Sequence, residues 1–563
     1  MKRADVLSIL MLFIATLLPS QVMAIKAFPG AEGFGANATG GRGGRVIEVT
    51  NTKGDASAGS FRAALKTSGT DPITIVFRVS GCISFDTSVI KCGRSNMTIA
   101  GQTAPGDGIC LRKGKIYFSG SNLVIRYLRF RVGDEYKVSL PALDIENCMN
   151  VIVDHCSLSW SVEENMDNYD TRYTTVQWCI ISEGLYNSYN VKGARAYGSQ
   201  WGGQYASYHH NLFAHNASRS PRVNGCRSHD TVALCDYRNN VIYNWGKFNA
   251  IYGGEVEIAG GSACCKVNWI GNYYAPGPAT ASSHYFAQPS YNDGSGTTTG
   301  YAKWYFSGNY MAGVNGGMNT SNWDGVDISQ VTLASNIKST SVFAADSVTT
   351  QSASDAFALV LDSAGAILPE RDSVDIRIVG QARGTTSVKS GGTYGSKTGI
   401  IDSPDSVGGW PAYNSKTAPS DSDHDGMPDT WEKAHNLNPY DSIDRNDLDV
   451  NGYTMLEDYL NNVSTIASTA LPLYTNRLFP GLRIAVSGSN KTNAFFSYHV
   501  PSFSFVTLKL FTLNGRQIST LENGSRQPGT YTSVLPVKNM AVGTFLVRLT
   551  ASGHSVCMIF TRN

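Results

Sequence analysis

The side chains with the most chemical capacity lie between Asn150 and Asn224: Asp154-His155, Glu163, Asp167, Lys192, His209-His210 and Arg219-Ser220-Pro221-Arg222. Glu163 and Asp167 are acids four residues apart. Acids brought together repel unless a cation sits between them, and hard oxygen ligands favour calcium. Calcium held against a carboxylated substrate acidifies the C–H next to the substrate carboxyl, because it stabilises the charge left when the proton departs. Arginine and lysine neutralise the remaining charge, and a basic group takes the proton. That chemistry is elimination. A hydrolase would instead arrange two or three carboxylates as acid and base, and a binding protein would need no such set. A β-helix glycosidase and a non-catalytic carbohydrate-binding β-helix are therefore the alternatives.

These residues need a scaffold that brings distant positions together. Up to about residue 315 the chain is rich in Gly, Asn, Tyr and β-branched residues and lacks helical periodicity. Segments such as NLVIRYLRF, NVIVDHCSLSW, TVQWCIIS, YHHNLFAHN and YRNNVIYNW repeat a strand pattern. Asn–apolar pairs at Asn211, Asn240, Asn272 and Asn309 recur about every 30 residues. Short strands at that period predict a right-handed parallel β-helix, with interior asparagines stacked from coil to coil. Neighbouring strands lie about 4.8 Å apart, so side chains from successive coils meet in one groove.

With 563 residues the chain exceeds one core. Met1-Lys2-Arg3, the apolar run from Val6 to Leu18 and Val22-Met23-Ala24 form a signal-peptide pattern, and no later run is long enough to span a bilayer. The mature protein is expected outside the cytoplasm, secreted or at the cell surface, as a monomer. A net charge of +2 gives no field for nucleic acid. Among eleven cysteines, Cys82 with Cys92 and Cys226 with Cys235 are candidate disulfides, whereas Cys148, Cys156 and Cys179 sit in apolar runs as small core residues.

Three ordered motifs carry a family resemblance. NVIVDHCSLSW resembles the WIDH segment of calcium-dependent pectate lyases, HHNLFAHNASRSPRV resembles their HHN…R-x-P-R segment, and AFPGAEGFGANATGGRGG resembles their glycine-rich start. The likeness covers roughly residues 27–320. It implies calcium-assisted β-elimination of polygalacturonate, calcium held by Glu163 and Asp167, Arg219 as the proton-abstracting arginine, and Lys192 on substrate. The chain has Pro141 where the family often has an acid and Asn224 where it often has a second arginine. Asp144 or Asp134 then supplies the carboxylate, Arg222 or Arg227 the cation, and His210 is a further candidate substrate contact. Asp154-His155 reads as a brace.

Asp421, Asp423, Asp425, Gly426, Met427, Asp429 and Glu432 match an EF-hand loop: oxygen ligands at positions 1, 3, 5, 9 and 12, a carbonyl at 7 and glycine at 6. A second, weaker loop has Asp447, Asp449, Asn451, Tyr453 and Asp458, with Met455 at position 9. The pair resembles dockerin-like loops and is read as a rigid calcium-stabilised spacer. From 482 onward, alternating segments such as VTLKLF and TFLVRL predict a β-sandwich. It resembles C-terminal sorting or anchoring domains, which implies a sorting or surface partner. The expected plan is a signal peptide 1–24, a β-helix 25–400, a linker 401–420, a calcium module 421–465 and a sandwich 480–563.

Overall fold

The computed structural model describes residues 25–86, 88–227, 229–246, 249–257, 264–281, 285–289, 300–331, 333–466, 483–489, 492–500, 504–512, 517–538, 540, 543–551 and 554–562. The signal-peptide pattern at 1–24 lies outside them. The chain divides into two compact units, Met1–Ala467 and Ser468–Asn563.

The first unit is mainly β and is built on three long parallel sheets of ten, nine and eight strands. Each turn of the chain lays one strand on each sheet. Thus Leu123–Arg126, Arg129–Arg131 and Leu143–Glu146 make one coil, and Met149–Asp154, Ser157–Ser159 and Glu164–Tyr169 the next. Then follow Arg172–Gln177, Ile180–Ser182 and Tyr197–Trp201, and after them Gln204–His209, Leu212–Ala214 and Arg222–Val223. All pairings within these sheets are parallel and in register, for example Ile152 with Thr175 and Leu158 with Ile181. The architecture is a parallel β-helix. Its interior is one continuous core in which Val153, Leu158, Met166, Val176, Trp201, Tyr208 and Phe213 are buried.

In four successive coils the first corner is a left-handed residue: Tyr127 (φ 56), His155 (φ 51), Trp178 (φ 53) and His210 (φ 56). Their rings stack, at centroid separations of 5.0, 6.0 and 4.3 Å. Stacking over these four coils offsets the conformational cost of about 1–2 kcal/mol that a left-handed non-glycine residue carries. The next residue of the same corner holds the asparagine ladder. Asn211 Nδ2 donates to Asn240 Oδ1 at 3.0 Å, Asn240 to Asn272 at 3.0 Å, Asn272 to Asn309 at 2.9 Å and Asn309 to Asn322 at 3.0 Å. Each amide also donates to a backbone carbonyl inside the bend, as Asn240 does to Tyr208. In earlier coils Cys156 and Cys179 occupy this corner, and Cys179 Sγ accepts the Cys156 N–H at 3.4 Å. The ten cysteines from Cys82 to Cys265 are all free. The expected pairs Cys82–Cys92 and Cys226–Cys235 are therefore not formed; register sets Cys82 beside Cys110 instead.

Two of the three sheets are covered. Across the first lies the glycine-rich start, with Ala31, Ala36 and Ala38 packed on Val124 and Ile152. Gly35 touches the sheet so closely that a Cβ would fall 2.2 Å from Val151 O, which is why a side chain is excluded there. Over the second sheet, residues 353–382 fold as two helices, Ala353–Ser363 and Ser373–Ala382. Val360, Leu361, Ile378 and Val379 pack on Ile180, Leu212 and Val241. Buried charges at this seam are paired: Arg131 with Asp375 at 2.9 Å and Arg377 with Glu183 at 2.7 Å. The 401–420 stretch, expected as a linker, lies along the coil: Ile401 is buried, and Asp107 accepts the Asn414 N–H at 2.7 Å.

Residues 421–466 belong to the same unit and dock on the first coils. Met427, Trp431, Leu456, Tyr459 and Leu460 form an apolar cluster with Ala100. Arg42 pairs with Glu457 at 2.8 Å, Arg126 donates to Asn461 at 3.0 Å, and Arg78 lies 3.7 Å from Asp421.

The second unit consists of two antiparallel sheets, one of three strands and one of four. Asn493–Val500 alternates strictly between buried and half-buried residues, and Phe496, Tyr498, Leu508, Leu510, Val547 and Leu549 share one core.

Candidate functional site

On the third sheet, alternate residues point away from the core. Leu143 and Ile145 are core residues, so Asp144 faces outward; Met166 is core, so Asp167 does too. Register then sets Asp144 beside Asp167, Asp167 beside Gln200, Gln200 beside Arg222 and Arg222 beside Tyr252. Five coils thus build one polar row. Asp144 Oδ1 and Asp167 Oδ1 are buried without a hydrogen-bond partner. Burial, only partly offset by Lys115, pushes the Asp144 carboxyl up to about 7. Asp167 is driven well above the usual range by burial and then by repulsion from Glu164 and Asp144. Two adjacent carboxylates with unmatched oxygens are the arrangement that an oxygen-loving cation relieves.

Arg219 stands beside this row, held in a left-handed conformation at φ 57. Its guanidinium pairs with Glu164, donates from Nε to Tyr252 Oη at 2.9 Å and from Nη1 to Gln200 Oε1 at 3.3 Å, and lies 4.3 Å over the Tyr197 ring. Burial works against its charge, but Glu164 and Tyr252 outweigh burial and raise its pKa. In the resting protein Arg219 is firmly a cation.

The other sequence candidates separate. Glu163 is close by: it accepts from Ser139 Oγ at 2.9 Å and lies 3.9 Å from Arg195. Lys192 is exposed on the loop leading to Tyr197–Trp201. Arg222 belongs to the row and lies 3.4 Å from Glu255, while Arg227 pairs with Glu257 at 2.8 Å beyond the strand. Asp134 falls in the turn after Arg129–Arg131, off the third sheet. His210 sits in the first corner against Trp178 and accepts or donates at Gln351, so the structure does not bring it to the row. Burial lowers its pKa and keeps it neutral. Asp154 braces Arg126 at 2.9 Å and His155 at 2.8 Å.

Lys115, Glu164, Tyr197, Gln200 and Tyr252 were not foreseen. Lys115 Nζ forms an ion pair with Asp144. Strand register reveals Glu164, Tyr197, Gln200 and Tyr252, and the ion pair reveals Lys115.

A second acidic centre lies in the 421–466 module. Ligand oxygens of Asp421, Asp423 and Asp425 fall within 4.8 Å of one another, as do those of Asp425, Glu432 and Asp444. Asp423 Oδ2, Asp425 Oδ2, both Glu432 oxygens and Asp444 Oδ1 are buried and unpartnered. Burial, then repulsion from its acidic neighbours, pushes Glu432 up to about 8, and burial pushes Asp425 up to about 7. Gly426 turns the loop at φ 93 against Val46 and Leu456. The expected position-9 ligand, Asp429, is turned aside: its oxygens accept the Ser422 N–H at 2.8 Å and the Ser422 hydroxyl at 2.9 Å. Asp444, from outside the twelve-residue loop, supplies a carboxylate instead. In the second loop Asp449 accepts the Asn451 and Tyr453 N–H groups at 2.7 and 2.8 Å. Among the described residues Asp447, Asp449 and Asp458 do not converge as a cluster of three.

Fold and site together define a class: a parallel β-helix protein with a row of carboxylates and an arginine on one outer sheet. No family model matches the chain. It is 34% identical over 448 residues to the probable pectate lyase C of Aspergillus flavus, covering 78% of this chain and 94% of that protein. The probable pectate lyase C of Aspergillus fumigatus is 35% identical over 453 residues, with 78% and 94% covered. Among solved structures, a pectate lyase bound to hexasaccharide aligns over 61% of this chain and 99% of its own, at 14% identity and a TM-score of 0.39. The chain belongs to the pectate lyase family and is a polysaccharide lyase.

Proposed function

We propose that this enzyme cleaves polygalacturonate by calcium-assisted β-elimination, releasing unsaturated oligogalacturonides. One observation carries the reading: the paired, unmatched carboxylates of Asp144 and Asp167 stand in register beside the buried cation of Arg219. Asp144 and Asp167, with Glu163 at the edge, would hold calcium. When bound, that ion supplies the positive charge that acidifies the substrate C–H next to the uronate carboxyl. Arg219 and Arg222 orient the polyanion along the row, and Tyr197 and Tyr252 fix the guanidinium against rotation. Arg219 is the residue nearest the proton transfer. Its pairing with Glu164 keeps it protonated, so taking a proton requires that this pair first open. Lys192 and Arg227, on flanking loops, contact more distant sugar units.

The EF-hand-like loop, through Asp421, Asp423, Asp425, the Met427 carbonyl, Glu432 and Asp444, takes a separate structural calcium. The second loop, through Asp447, Asp449, Asn451, Tyr453 and Asp458, takes another more weakly. The protein acts as an exported monomer, with the C-terminal unit as a sorting or anchoring domain. The test is ultraviolet absorbance of the unsaturated product on polygalacturonate, with and without EDTA. Full activity in chelator, or products lacking that absorbance, overturns elimination.

A further inference from the structure

We propose that Lys115 is a built-in counter-ion that competes with a divalent cation for Asp144, coupling metal binding to substrate binding; this rests on the calcium reading of the row. Lys115 opens the strand Lys115–Phe118, where register puts Tyr117, not Lys115, beside Asp144. The ammonium therefore reaches the carboxylate along its flexible stem, and it pairs with Oδ2. Asp144 Oδ1 and Asp167 Oδ1 are left buried and unpartnered, side by side. The side chain of Lys115 is 17% exposed against 2% for Asp144, so the lysine has a way out and the carboxylate does not.

The charges around the row decide what must happen when a metal arrives. Glu164 is matched by Arg219, and Glu163 has Arg195 at 3.9 Å. Once ionised to take a divalent cation, Asp144 and Asp167 together carry two negative charges, of which Lys115 offsets one. A divalent ion added to both carboxylates leaves the ammonium surplus, close to a doubly charged ion in a poorly solvated place. A flexible lysine relieves that repulsion by swinging toward solvent, and a polyuronate lying along the groove offers it a new carboxylate. Metal and substrate thus bind better together than apart, and by linkage each strengthens the other equally.

Calorimetric titration of the full chain with calcium chloride at fixed ionic strength tests this. Asp144→Asn/Asp167→Asn, which keeps the module loop, identifies the binding step that belongs to the row. Lys115→Met is expected to tighten that step by about ten-fold or more, since a like charge has been removed from a partly buried site; Lys115→Arg, which keeps the charge, should bind like the parent. In an Arg219→Ala background that spares the substrate, oligogalacturonate should tighten calcium binding with Lys115 present and not in Lys115→Met. Equal or weaker calcium binding by Lys115→Met overturns the proposal while leaving the calcium reading standing. If the parent shows no step that Asp144→Asn/Asp167→Asn abolishes, the calcium reading of the row falls, and this proposal with it.

Discussion

The chain holds two acidic centres made in opposite ways. In the module, four of the five converging carboxylates come from one twelve-residue loop, and a single extra one, Asp444, joins from the following turn. On the third sheet, Asp144 and Asp167 come from different coils, and Lys115, Gln200 and Arg219 from three others. The first centre is fixed by local backbone turns at His424 (φ 60) and Gly426 (φ 93). The second exists only once the coils have stacked in register. A local loop can close on its ion wherever it is placed, whereas the row depends on the whole helix and in return presents an extended face to an extended polymer.

The sharpest way to break this comparison is to neutralise one centre at a time. Asp167→Asn should reduce turnover of polygalacturonate on the order of 10³-fold while leaving the thermal midpoint in calcium nearly unchanged, measured by product absorbance and by calorimetry. Glu432→Gln should do the reverse. In calcium at about a hundred times the loop's dissociation constant, it should forfeit about 2–3 kcal/mol of stability and retain activity. If both variants lose activity alike, the two centres are not separate in role.

Acidity gives a second separation. Glu432 is raised to about 8 and Asp425 to about 7, above the unfolded carboxylate values near 4. In calcium-free protein the folded module therefore binds more protons than the unfolded chain between these limits. Its stability is full below about pH 4 as far as these groups go, falls as pH rises from there, and is lost by about pH 7 to 8. The thermal midpoint in EDTA should fall across that range, and added calcium should abolish the fall. A midpoint in EDTA that rises with pH would contradict the burial of these acids.

The smallest effect concerns ligand choice. Asp444→Asn should weaken calcium binding to the loop by about ten-fold, whereas Asp429→Asn, whose oxygens are committed to Ser422, should change it by less than about three-fold. Titration with a calcium-competing fluorescent chelator distinguishes them. A larger loss from Asp429→Asn would mean that the loop closes on its ion with the spacing alone as its guide.

The same contrast explains what the sequence revealed. The EF-hand loop was readable because its ligands and its glycine lie within one short window. The coils were readable because Asn211, Asn240, Asn272 and Asn309 mark the same corner. Lys115, Glu164 and Tyr252 were not, since no spacing announces which residue of one coil will lie against another. The helices over 353–382 carry their capping signals, Ser352 with Asp355 and Asp372 with Asp375, yet these sit in Ser- and Asp-rich sequence that reads as turns. The bonds between Arg131 and Asp375 and between Arg377 and Glu183 then hold the helices against the coils.

The asparagine ladder behaves like a short polymer with a polarity. Every amide hands its hydrogen to the oxygen of the next coil, from Asn211 through Asn309, and Asn322 receives the last one from a short turn, Asn322–Gly325, that is not a strand. Asn322 then points its own hydrogens back to Asn309 O and Met318 O, so it terminates the chain. A coil bearing the same asparagine inserted between Asn240 and Asn272 would find a donor below and an acceptor above, and propagation would continue. Removing the terminator would leave Asn309 with one amide hydrogen still on Trp269 O, and the other, with its backbone N–H, would lose its acceptor. The length of the ladder is thus set by where the stop residue falls.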